Sequence, residues 1–332
     1  MAEKCLGLQR DNSYIGAMES ALKCLKSNLD YYTLMAASGE GLIVRWFKAL
    51  SGKRWGGELL PGIFHPEFKL LSELTEYEFA VVEDENNREK IKERIIQSID
   101  NGVPVLCLDR GQNLSVLFGY ESEGDVMLIR PYIDSCAAEP DWDAAVRYNY
   151  NDLFPYFVFI ENNGQKSMDY TASMIEGIKN SIQYYDMQKK EYDTARYGKG
   201  FYYFGIHAYD QWMEDLKNFN DFAEGEKENL KFFTWWNAIS VMDKRTAMSK
   251  VFRELAAAPY ITDTINSYIE MARICSHQVT ILKKMTDDCS YNSNVADFGE
   301  HVQGYIDSLK ELRESEVNLH GVFLSIADLY DI

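Results

Sequence analysis

Six of the seven prolines, Pro61, Pro66, Pro104, Pro131, Pro140 and Pro155, lie in the first half of the chain; only Pro259 lies beyond. Proline is tolerated in loops and at strand edges but breaks helix interiors. The second half can therefore be mainly helical, and the first cannot. A length of 332 residues points to two domains, because a single hydrophobic core stops growing at about 250–300 residues. The polar segment Glu161-Asn162-Asn163-Gly164-Gln165-Lys166 is the natural join, giving domains at 1–163 and 164–332.

The first domain mixes periods. Ile15, Met18, Leu22 and Leu25 recur at helical spacing, with Asp11 or Ser13 available as the cap. Tyr77–Val82 reads as a strand, and Ile91, Ile95 and Ile99 share a helix face that Asn101-Gly102 stops. Val103–Leu108 is an apolar strand. Leu114–Tyr120 and Val126–Tyr132 flank a polar turn and predict a hairpin, and Phe157–Ile160 adds another strand. The implied class is α+β, with an antiparallel sheet packed on helices. The second domain keeps helical period through Met174, Ile178 and Ile182, through Ile206, Tyr209 and Met213, and through Val302, Ile306 and Leu309. An all-α bundle of five or six helices is expected there.

Charge and cysteine usage exclude several functions. Lys and Arg number 34 against 52 Asp and Glu, a net charge of -18, which repels a phosphate backbone and disfavours nucleic-acid binding. No stretch approaches the roughly 20 apolar residues of a membrane span, and Met1–Asn12 has no signal-like apolar run. Cys5, Cys24, Cys107, Cys136, Cys275 and Cys289 show no paired spacing and read as reduced thiols. A cytoplasmic location is expected on these grounds.

Several segments resemble the papain-like domain of the butirosin-biosynthesis acyltransferase group, itself distantly similar to bacteriocin leader peptidases. They are Tyr14-Ile15-Gly16-Ala17 leading into Ala21-Leu22-Lys23-Cys24-Leu25, Leu34-Met35 with Ser38-Gly39, Ile99 to Val105, and Phe118-Gly119-Tyr120. Gly205 with Ala208-Tyr209 and Trp212, and Arg245-Thr246-Ala247 with Phe252-Arg253, resemble the helical region of bacterial proteins of this architecture. The resemblance implies a papain-like first domain with a central helix against an antiparallel sheet. Papain-like chemistry needs a Cys at a helix N-terminus, where the dipole favours thiolate, a His on a strand, and an acid or amide orienting that His. Matched motif by motif, the Cys position falls at Ala17, or Gly16 with a one-residue slip. The His position falls at Asn113, and the acid position at Arg130 before Pro131. All three depart from the catalytic pattern. Of the histidines, only His65 lies in the first domain, and it directly precedes Pro66.

The reading that follows is a catalytically inactive papain-like binding or accessory protein. It would hold a small molecule, a carrier-linked acyl group or a peptide in the former active-site cleft. Ser13, Tyr14, Gly16, Ala17, Asn113, Tyr120, Arg130, Tyr209 and Trp212 are its candidate ligand-binding residues. Arg130 is expected to pair either with an internal carboxylate or with an anionic ligand. The alternatives are an active cysteine-type acyltransferase or amide hydrolase with catalytic residues elsewhere, and a partner-binding protein that uses its acidic surface. No cofactor or metal is implied. Gly198-Lys199-Gly200 with Gly205 lacks phosphate-loop spacing and reads as a helix connection. Ser38-Gly39-Glu40-Gly41 reads as a turn, and His207 with Asp210 as an acid–base pair or a packing contact. Phe201-Tyr202-Tyr203-Phe204, Tyr209 and Trp212 are expected to pack on the first domain.

Overall fold

The computed structural model describes residues 12–52, 54–56, 66–83, 86–109, 113–130, 146–162, 164, 170–194, 198–258, 264–288 and 294–329. The chain opens with helices α1 Ser13–Cys24 and α2 Tyr31–Ala37, strands β1 Arg45–Ala49 and β2 Trp55–Gly56, and helix α3 Pro66–Leu74. Strand β3 Tyr77–Glu83, helix α4 Arg88–Asp100, and strands β4 Val105–Leu108, β5 Leu114–Glu121, β6 Val126–Arg130, β7 Val146–Asn149 and β8 Tyr156–Asn162 follow. Helix α5 Tyr170–Asp186, the β9 Lys189–Thr194 and β10 Gly198–Phe204 pair, and helices α6 Gly205–Lys217, α7 Glu224–Ala257, α8 Ile265–Asp288 and α9 Val295–Leu329 complete it.

Two compact units result, Met1–Ser38 with Leu60–Ser173, and Gly39–Leu59 with Met174–Ile332. The protein is α+β, with two antiparallel sheets and a helical C-terminal region. The second unit thus recruits residues 39–59, which the polar join assigned to the first domain, and its division from the first falls inside α5.

In the first unit one antiparallel sheet runs β3-β8-β4-β5-β6-β7. Ile91, Ile95 and Ile99 of α4 cover one face, against Val105, Cys107, Leu117, Met127, Ile129, Phe157 and Phe159. Helix α1 packs against β4 and β5. Its cap is Asn12, whose Oδ1 accepts the Ile15 N–H at 3.0 Å. Ser13 is instead the first helical residue, and Asp11 lies outside the described residues. The expected hairpin forms, turning through a short 3-10 segment at Ser122–Gly124.

The second unit adds a sheet to its helices, in the order β2-β1-β10-β9. The aromatic run Phe201–Phe204 lies in β10, where every residue from Gly200 to Phe204 pairs with β1. Gly198-Lys199-Gly200 is therefore strand, a correction to the helix-connection reading. A Cβ at Gly200 would lie 2.5 Å from the Lys48 carbonyl and against the Phe47 ring, so the strands approach too closely there for a side chain. Trp46 of β1 stacks on Trp212 of α6 at 4.8 Å and 10°. Leu216, Val241, Leu282 and Leu309 continue this core through the helices. Among the described residues, no helix is long and apolar enough to cross a membrane.

Candidate functional site

The motif-matched positions of the first unit lie on the first half of α1, just before β5 and at the end of β6. Ser13 and Tyr14 open α1 half-buried, and the Tyr14 ring lies 5.0 Å from that of Phe68. Gly16 and Ala17 are buried; Ala17 keeps 7 % of its surface. Asn113 immediately precedes β5 and is half-buried. Arg130 ends β6 directly opposite Val116 of β5, is 4 % exposed, and is engaged within the protein.

Asp109, which the sequence reading missed, organises the β4–β5 end. Its Oδ1 accepts the Asn113 N–H at 3.0 Å and its Oδ2 accepts the Ser115 hydroxyl at 3.0 Å. Asp109 itself is 2 % exposed. A carboxylate just beyond an apolar strand is a weak signal, because that is also where surface aspartates end strands. The arrangement holds Ser115 as a donor to an acceptor and fixes the Asn113 backbone. It places a carboxylate against the serine hydroxyl, and among the described residues of this unit there is no histidine to serve as the serine's base.

The described cysteines of this unit are equally unsuited to attack; Cys5, Cys136 and Cys289 lie outside the described residues. Cys107, opposite Ser115 in the ladder, is fully buried, and desolvation, with Asp109 nearby, pushes its pKa well up. A nucleophilic cysteine needs the reverse shift. Cys24 ends α1 and is disulfide-bonded, correcting the reading of all six cysteines as reduced thiols. His65 lies outside the described residues.

Three candidate ligand-binding residues stand elsewhere. The Tyr120 hydroxyl donates to Asp100 Oδ1 at 2.9 Å, and its ring packs on the α4 side of the sheet. Tyr209 and Trp212 are fully buried in the second unit's own core, and the Trp212 Nε1–H donates to Thr234 Oγ1 at 3.1 Å. Their aromatic density is covered by Trp46, Ala208, Leu230 and neighbouring helices; Trp46 and its strand β1 fall within residues 1–163, so the expected packing on the N-terminal part of the chain is met through the segment that joins the second unit.

The second unit holds the most concentrated charge chemistry of the described residues, and all of it is buried. Gly39, at φ +79°, turns the chain so tightly that a Cβ would lie 2.7 Å from the Gly177 carbonyl. That turn delivers Glu40 and Gly41 to α7. Arg45 Nη1 donates to Glu40 Oε2 at 2.7 Å, and Lys244 Nζ donates to the same oxygen at 3.0 Å and to the Ile43 carbonyl at 3.0 Å. Arg245 donates to the Gly41 carbonyl at 2.7 Å and forks onto Glu316 at 2.7 and 2.8 Å. Tyr185 and Gln278 also donate to Glu316. Burial raises the Tyr185 and Tyr209 hydroxyls well above the ordinary tyrosine value, with Glu316 adding to it. A second buried carboxylate, Asp215, accepts from Trp46 Nε1 at 2.8 Å, from Gln211 at 3.1 Å and from Lys48. Desolvation raises its pKa, against the pull of Lys48.

These groups are paired and turned inward, which makes them a clasp on residues 40–48. The proposed His207–Asp210 acid–base pair gives way to another partner: Asp210 accepts from Arg313 Nε at 2.6 Å. His277 lies 3.1 Å from Glu311 at the surface, and His320 stacks on Tyr185 at 4.5 Å. No group of three or more His, Cys, Asp or Glu side chains able to hold a metal ion occurs among the described residues. No protein-family model and no curated protein matches the chain.

Proposed function

We propose that this is a non-catalytic, papain-like binding or accessory protein. Its first unit would hold a small molecule, a carrier-linked acyl group or a peptide near the N-terminal half of α1 and the β4–β5 end. The observation that carries the reading is Ala17: a buried methyl stands in the early part of α1, where the resemblance places the nucleophilic thiol. The burial of Cys107 supports it, since a thiol held protonated in an apolar strand is a poor nucleophile. Ser13 and Asn113 are half-buried there and carry polar side-chain atoms suited to a ligand.

The test combines reactivity and binding. Incubated with acyl-thioesters and with a thiol-reactive acyl probe, the native protein should show no turnover above background and no rapid labelling. Thermal-shift screening against acyl-pantetheines and peptides should find a stabilising ligand whose effect is reduced in Asn113→Ala. Fast stoichiometric acylation of one cysteine would overturn this reading in favour of an active acyltransferase or amide hydrolase.

A further inference from the structure

Four strands end the two sheets: β2 and β9 in one, β3 and β7 in the other. An exposed edge is a template for another strand, and proteins blunt it with shortness, lysine, proline or a bulge. Strand β2 has two residues, β7 has four and carries Arg147, and β9 begins Lys189-Lys190. Strand β3, Tyr-Glu-Phe-Ala-Val-Val-Glu, has seven residues with no basic residue and no proline. Its pairing with β8 is unbroken from Tyr77–Asn162 to Glu83–Tyr156, so no bulge turns it away.

Hydrogen bonds show which backbone groups face outward. The Phe79 N–H is taken by the Ser72 hydroxyl of α3 at 3.1 Å, and Tyr77 by Thr75 Oγ1 at 3.1 Å. Neither acceptor is on β8, so the odd-numbered residues present their N–H and C=O groups to the outer side. Phe79 itself is buried beside α3, whose Phe68 stacks on it; beyond it, both Val81 backbone groups and the Glu83 N–H have no partner among the described residues. This is one open run of strand with the spacing that an extended peptide matches.

The side chains around that run are acidic and incompletely neutralised. Glu78 and Glu83 are exposed, and neither has an ion-pair partner among the described residues. Glu78 stands directly opposite Glu161 of β8, a like-charge pair that costs stability. Arg94 of α4 bonds Glu161, leaving Glu78 without a cation. A second copy of this edge would bring glutamates against glutamates, which disfavours self-pairing. A lysine or arginine on an added strand would satisfy Glu78 and Glu83 instead.

We propose that the outer edge of β3 beyond Phe79 is a docking edge for an extended basic peptide segment, which adds as a seventh strand through the backbone of Val81 and Glu83. This surface is separate from the α1 site, and the proposal stands whether or not that site binds a ligand.

The full chain is titrated, by fluorescence anisotropy, into a labelled decapeptide alternating lysine with valine and threonine. An acidic counterpart and an alternately N-methylated version serve as comparisons. Saturable binding of the basic peptide is expected, weakened about tenfold by Val81→Pro, which deletes one outward N–H and shields its neighbours. N-methylation of the bonding edge should abolish it with the protein unaltered, so the result does not depend on how the proline variant folds. Binding that survives both N-methylation and Val81→Pro is adsorption to an acidic surface and overturns the proposal. So does equal binding of the acidic peptide. Dimerisation of the free chain that Val81→Pro abolishes would assign the edge to a second copy and overturn it as well.

Discussion

Replacing Arg245 by methionine tests the idea that the buried charges are a clasp. Arg245 is fully buried, donates twice to Glu316 and once to the Gly41 carbonyl. Methionine fills much of the stem volume but leaves Glu316, itself fully buried, with only Tyr185 and Gln278 as donors. Breaking one side of a buried ion pair costs about 3–5 kcal/mol. The orphaned Gly41 carbonyl adds about 1 kcal/mol. The expected loss is therefore about 3–5 kcal/mol, measured by urea unfolding followed through tryptophan fluorescence. That signal reports this unit well, because Trp46, Trp55, Trp212, Trp235 and Trp236 all belong to it.

The double variant Arg245→Met/Glu316→Leu should recover most of the loss, since it removes both charges. A deficit below about 1 kcal/mol, or a double variant no better than the single, would refute the clasp.

The Asp215 carboxyl pKa is raised by burial, so its contribution to stability is fully present below the unfolded value and is lost as pH rises through the folded one. Asp215→Asn should therefore gain on the wild type between about pH 4 and neutrality, as chemical unfolding at both pH values will show. The Cys275 thiol, pushed up to about 12 by burial, and Cys107 should resist a disulfide reagent in the native protein and react on unfolding; labelling of either within seconds under native conditions would contradict their burial. Gly200→Ala should lower the thermal midpoint by forcing β10 away from Lys48 and Phe47, at a cost of about 1–3 kcal/mol. The isolated fragment 164–332 lacks β1, Glu40 and Trp46, and should show no cooperative transition by circular dichroism; a sharp one would mean that the recruited segment is dispensable.

Local pattern was enough for much of the architecture. Ile91, Ile95 and Ile99 recur at helical spacing and line one face of α4 in the structure, because a helix of fixed pitch can bury only what its period presents. The polar turn between β5 and β6, and the near absence of proline beyond Pro155, set the hairpin and the helical C-terminal region on equally local grounds. Tertiary structure alone decided the rest. Strand β10 reads as an aromatic run that suits several environments, and its partner β1 lies far away in the chain, so no local period could reveal the sheet or the recruitment of residues 39–59. Glu40, Lys244, Arg245 and Glu316 look in sequence like solvated charges scattered among many others. They become a buried network only because the tight turn at Gly39 and three helices bring them together, and pairing is what makes burial of those charges tolerable.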